Sequence, residues 1–226
     1  MMAIENKIGL YIRLTKVGST SLVTKHKINE SFQKKVWINK RDGNLRDSTL
    51  KIALRTKFEL GSKIWYNLFK FATIRNPYDR MVSSWKYLVV NENYLDNLKN
   101  SSHFRNLDFK SFVKKISKTD IEYPFNNECF FENGNTINFW WHLSPQYQQL
   151  SDANGNLLMD FLIRFENYQS DFEKVCEKLK IKKYNLLHEK KTRYKHYTEY
   201  YDEETKSIIE EKYANDIKYF GYEFGK

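Results

Sequence analysis

At 226 residues, 41% of them hydrophobic, the chain is long enough to bury one substantial core without disulfides or metal staples. Its two cysteines, Cys129 and Cys176, lie far apart and without metal-ligand spacing, which argues against a disulfide framework or a zinc site and for a reducing compartment. Lysine and arginine outnumber acidic residues to give a net charge of +10, a field that draws in polyanions.

No apolar run approaches the ~20 residues that span a bilayer, and Met1 to Lys7 is too polar for a secretory signal, so a soluble, cytoplasmic protein is expected with no membrane partner. The lysines are scattered over residues 25–40, 110–118 and 178–195 and are not gathered in one arm. Nucleic acid is the rival reading of this charge and is not the expected partner.

Residues 8–14, apolar with β-branched and aromatic side chains, read as the first strand. They empty into Lys16-Val17-Gly18-Ser19-Thr20-Ser21 and a helix over residues 20–29. The first turn of a helix presents unpaired N–H groups and the positive end of its dipole, where an anion can be held. Gly18 permits close backbone approach, Ser19, Thr20 and Ser21 add hydroxyls, and Lys16 stands at the strand end: a phosphate cradle in outline. The lysine precedes the glycine, unlike the G-x-x-x-x-G-K-[ST] loop of nucleoside triphosphatases, so a different donor is expected. From these residues alone, a plain strand-to-helix turn with a solvated lysine remains open.

Residues 36–38 read as a short second strand, and Ser48 or Thr49 as the cap of a helix ending at Leu60. A strand over residues 69–75 leads through the turn dipeptide Asn76-Pro77 into a helix over residues 78–90. Arg75 at that strand end offers a planar fork of donors suited to phosphate, and Ser83 on the helix adds a hydroxyl. Taken alone, Arg75 reads equally as a partner of Asp79 or of a chain-end carbonyl. Two such loops in one chain fit a ligand with phosphates at both ends.

Further on, residues 91–106 read as a polar loop, 109–116 as a helix, and 126–141 as an irregular, aromatic wall near the site. A strand over residues 161–165 and a helix over 168–179 follow, with Cys176 a small core residue, and residues 203–219 read as one final amphipathic helix. Strands alternating with helices predict a single α/β domain over residues 1–226, with a central parallel sheet flanked by helices.

The two loops resemble the signature loops of sulfotransferases that use 3′-phosphoadenosine 5′-phosphosulfate (PAPS), in particular the carbohydrate-type branch with the chondroitin, dermatan and uronyl 2-O-sulfotransferases. The usual first loop reads Pro-Lys-x-Gly-Ser-Thr-Ser, and Thr15 stands here in place of the proline. Arg75-Asn76-Pro77-Tyr78-Asp79-Arg80-Met81-Val82-Ser83 matches the second loop almost completely. Resemblance continues in order through Trp141-His142-Leu143-Ser144-Pro145-Gln146, Phe161-Leu162-Ile163-Arg164-Phe165-Glu166-Asn167 and Tyr197-Thr198-Glu199-Tyr200-Tyr201 to Phe220-Gly221-Tyr222.

The resemblance implies a P-loop-like PAPS-binding fold and transfer of a sulfuryl group to a hydroxyl of a saccharide or other small acceptor, with 3′-phosphoadenosine 5′-phosphate (PAP) as product and no metal. It implies that Lys16 and the loop from Gly18 to Ser21 hold the 5′-phosphosulfate, that Arg75 and Ser83 hold the 3′-phosphate, and that Lys191 and Arg193 cover the nucleotide. The histidine that serves as base in uronyl 2-O-type relatives is matched by Asp47 in Arg46-Asp47-Ser48-Thr49. Asp47 then reads either as general base or as a helix cap, and His142 either as the base or as a structural hydrogen-bonding residue. Trp140, Trp141, Gln146 and Tyr147 are candidates to line the acceptor pocket, although aromatic residues at these spacings are as often core. A family member that binds PAPS without turnover is the remaining alternative, and the chain alone names no acceptor.

Overall fold

Four short runs, Gly9–Ile12 (β1), Val36–Ile38 (β2), Phe69–Ile74 (β3) and Phe161–Arg164 (β4), pair in parallel in the order β2-β1-β3-β4. They are seen in a computed structural model that describes residues 6–22, 30–38, 52–90, 106–118, 142–186 and 195–226. The central strands β1 and β3 are buried nearly throughout, whereas the edge strands β2 and β4 are half-buried. That difference explains the sequence pattern, since a strand covered on both faces reads as a continuous apolar run instead of an alternation.

The described residues fall into two compact units. The first is drawn from the segments Met1–Arg41, Lys51–Arg75 and Gln146–Lys191 and contains the whole sheet. Its helices are Glu30–Lys35 (α1), Ile52–Leu60 (α2), Ser62–Asn67 (α3), Gln146–Leu150 (α6) and Tyr168–Lys178 (α7). Phe32 of α1 and Phe172, Val175 and Cys176 of α7 pack with Tyr11, Phe71 and Ile163 of the sheet into one core. Burial pushes the Cys176 thiol up to about 11, so it stays protonated and acts as a small apolar residue. Cys129 lies outside the described residues.

The second unit is drawn from Asn76–Pro145 and Thr192–Lys226. It contains Pro77–Trp85 (α4), a π-helical turn at Lys86–Val90, Phe109–Ser117 (α5), Glu203–Lys212 (α8) and Ala214–Phe220 (α9). Its core joins Tyr78, Met81 and Val82 to Phe109, Phe112, Val113 and Ile116, and to Ile209 and Tyr213. Asn76 caps α4 by accepting from the Tyr78 N–H at 3.0 Å, with Pro77 at the first helical position, as the dipeptide predicts.

The expected final helix over residues 203–219 is corrected to two, α8 and α9, divided at Tyr213. The buried stripe Thr205, Ile209, Tyr213, Asp216 and Phe220 still runs at helical spacing, which is what the sequence shows. The break coincides with a tertiary contact: the Tyr213 hydroxyl donates to the Leu143 carbonyl at 2.6 Å, and its backbone departs from helical ψ. The helices α3 and α6 are too short to leave a period in the sequence.

Asp202 caps α8 with a capping box and also meets the Lys110 ammonium. That ammonium and the Thr205 N–H and hydroxyl hold the Asp202 carboxyl well below its usual range, and Lys114 and Lys110 do the same for Glu204. A lowered folded-state pKa means stability present above the ordinary carboxylate value and lost as pH falls through the folded one. Urea midpoints are therefore expected to hold down to about pH 4 and then drop, with a shallower drop in Asp202→Asn. An identical acid limb in that variant would remove the assignment to this cluster.

Candidate functional site

Strand β1 delivers its C-terminal end to the loop from Thr15 to Gly18, and residues 19–22 are helical; the rest of the helix expected over residues 20–29 lies outside the described residues. The loop is wound by two left-handed residues, Lys16 at φ 60° and Gly18 at φ 73°. For lysine this conformation costs about 1–2 kcal/mol relative to an ordinary one, so the surroundings must hold it. Thr15, Val17, Ser19 and Ser21 are buried, while Lys16, Gly18 and Thr20 are half-buried. Arg13, at the end of the same strand, approaches the Ser19 hydroxyl with its Nε at 3.4 Å.

A Cβ on Gly18 would lie 2.7 Å from Phe165 Cε2 and 2.9 Å from Cδ2. Glycine is thus demanded twice, by the sign of φ and by the ring behind it. The Gly18 carbonyl accepts from the Tyr168 hydroxyl at 2.9 Å, which fixes the loop to the start of α7. The same hydroxyl also meets the Thr73 side chain and the Leu22 main chain, so Tyr168→Phe is expected to lower stability by about 1 kcal/mol or more, read from urea unfolding. An unchanged midpoint would mean that the hydroxyl's bonds give the loop no net stability.

Arg75 follows β3 and is 7% exposed. Its Nη1 donates to the Lys16 carbonyl at 3.0 Å, and its guanidinium stacks on Phe165 with Cζ 4.2 Å from the ring centroid. The carbonyl that Arg75 bonds is thus that of Lys16, inside the first loop. Gln146 holds the same arginine by its main chain: Oε1 accepts from the Arg75 N–H at 2.9 Å and Nε2 donates to the Arg75 carbonyl at 2.8 Å.

Gln146, expected at the acceptor pocket, is fully buried. Removing its amide in Gln146→Ala would strand an N–H and a C=O, expected to cost about 2–4 kcal/mol in a urea titration. A loss under about 0.5 kcal/mol would deny this clamp and return the residue to the acceptor side.

In the second unit, Ser83 is buried on α4, and His142 is half-buried. The His142 ring stacks on Tyr87 of the π-helical turn, with centroids 5.0 Å apart and planes at 25°. Its carbonyl accepts from the Ser84 hydroxyl at 3.0 Å. The imidazole is held by one ring face and by its backbone. Asp47, Trp140, Trp141, Lys191 and Arg193 lie outside the described residues. Among the described residues no group of three or more His, Cys, Asp and Glu has a metal-holding arrangement, and no helix is long and apolar enough to cross a membrane.

Phe165 and Tyr168 had no assigned role in the sequence, although Phe165 lies in a segment of family resemblance. Both are aromatic residues after an edge strand, indistinguishable in sequence from core. A sequence model described as a sulfotransferase family matches residues 1–223. No curated protein and no solved structure matches the chain.

Proposed function

The chain belongs to the sulfotransferase family, and from that premise we propose that it moves the sulfuryl group of PAPS to a hydroxyl of a saccharide or another small acceptor, within a single domain. The observation that carries this reading is the first loop: a lysine in the left-handed region and a glycine backed by an aromatic ring, at the end of a central parallel strand. Helix starts after such strands are where α/β proteins hold phosphates.

In the proposed reaction the acceptor oxygen attacks sulfur in line, the bond from sulfur to the 5′-phosphate oxygen breaks, and the acceptor proton passes to a base. The leaving phosphate gains charge, which Lys16 and the amides and hydroxyls from Gly18 to Ser21 neutralise. Positioning and charge stabilisation do most of the work, as in phosphoryl transfer. By sequence resemblance, Arg75 and Ser83 anchor the 3′-phosphate and Lys191 and Arg193 cover the nucleotide. Asp47 and His142 are the two candidates for the base, and Trp141 for the acceptor wall.

The test is calorimetric binding of PAP at two salt concentrations with ATP as control, followed by transfer of labelled sulfate from PAPS to a panel of saccharides. Binding that excludes ATP, together with labelled product, is the expected result. Failure to bind PAP would overturn the donor; binding without any transfer would point to a family member that has lost turnover.

A further inference from the structure

Within the first unit, Phe165 lies against both Gly18 of the first loop and Arg75, the residue that opens the second. One face carries the Arg75 guanidinium, with Cζ 4.2 Å from the centroid, and its edge closes on Gly18, where an added Cβ would stand 2.7 Å away. Arg75 in turn donates from Nη1 to the Lys16 carbonyl at 3.0 Å. We propose that Phe165 and Arg75 form a positioning pair that sets the Lys16 loop, so that Arg75 governs binding at the 5′ end of the donor as well as at the 3′ end. This rests on the reading of the two loops as sites for the two ends of PAPS.

The physical case begins with the Lys16 backbone. A lysine at φ 60° turns its carbonyl away from the direction an ordinary loop would choose, and a fixed donor must meet it there. Arg75 is that donor: it is 7% exposed, its main chain is gripped on both sides by Gln146, and its side chain is flattened on Phe165. A charged donor to a carbonyl is worth more than a neutral one, and stacking on a ring keeps the fork in plane. Positive φ at Lys16 and Gly18, alternating with Val17, is the winding in which successive amides line a concavity for an anion. Loss of the arginine therefore unsettles the 5′ cradle even when the ligand has no 3′-phosphate to contact.

Lysine in place of Arg75 keeps a cation for the 3′-phosphate but lacks the planar fork that stacks and donates together. Leucine in place of Phe165 removes the ring face, and tyrosine restores it. None of these changes alters the Lys16 side chain.

The experiment measures the affinities of PAP, adenosine 5′-phosphosulfate and adenosine 3′-phosphate for the full chain and for Arg75→Lys, Phe165→Leu and Phe165→Tyr, with melting curves to confirm folding. Arg75→Lys is expected to weaken adenosine 5′-phosphosulfate by about tenfold, the scale of one lost charge-assisted bond, while adenosine 3′-phosphate changes much less. Phe165→Leu should weaken the 5′ ligand comparably and Phe165→Tyr should recover it. A purely structural phenylalanine would lower the melting point in Phe165→Leu without this selectivity. If Arg75→Lys leaves the 5′ ligand within about twofold while PAP weakens, the coupling is wrong and the donor reading stands. If the unaltered protein binds neither PAP nor adenosine 5′-phosphosulfate, the donor reading falls first and the coupling with it.

Discussion

Replacing Lys16 by methionine is expected to lower turnover in the proposed sulfuryl transfer by about 10²–10³, the range for removing one preorganised donor from a developing oxyanion. In the proposed reaction the ammonium would act where charge grows, on the leaving 5′-phosphate, so kcat should fall far more than affinity for PAP. Methionine keeps an unbranched stem of similar length and deletes the ammonium. Arginine at the same position keeps the charge with a wider head and should retain an intermediate rate. Steady-state rates with labelled PAPS would decide the matter, and activity within threefold of the unaltered protein in Lys16→Met would move the catalytic charge elsewhere.

Gly18→Ala carries the largest expected effect on stability. Two independent penalties meet at this position. A side chain at φ 73° costs about 1–2 kcal/mol, and the methyl group would stand 2.7 Å from the Phe165 ring, an overpacking that typically costs about 1–3 kcal/mol. Together they predict a loss of about 2–5 kcal/mol in urea unfolding, a large share of the stability of an ordinary domain. Because the ring is half-buried beside Arg75, any shift that relieves the clash also moves the arginine, so PAP affinity should fall in the same variant. Adding Phe165→Leu should return the steric part and leave the backbone part, a double-mutant cycle with a favourable coupling. A Gly18→Ala protein within about 1 kcal/mol of the original would mean that the loop relaxes freely, contrary to its bond to Tyr168.

Much of the fold was legible because its signals are local. The strand over residues 36–38 is found at those residues, and the helices over 109–116 and 168–179 differ from the observed Phe109–Ser117 and Tyr168–Lys178 by a single residue. Apolar runs of strand length and apolar positions at helical spacing report directly on the backbone. The helix expected after Ser48 or Thr49 is described from Ile52 to Leu60, and it stops where Gly61 adopts a positive φ. The break at Tyr213 was not legible, since neither glycine nor proline marks it.

By itself the sequence determined the α/β class, the four strands, and the positions of the two strand-to-helix loops, because each is a short contiguous string of residues. Only the tertiary structure decided what Arg75, Gln146 and Phe165 do. Seventy-one residues separate Arg75 from Gln146, and the Arg75 side chain reaches the Lys16 carbonyl across fifty-nine. Such pairings depend on which strand ends the parallel sheet brings together, and a long-range contact leaves no period or spacing in a single chain. A buried glutamine and an aromatic residue after an edge strand look the same in sequence whether they fill a core or hold a loop in place.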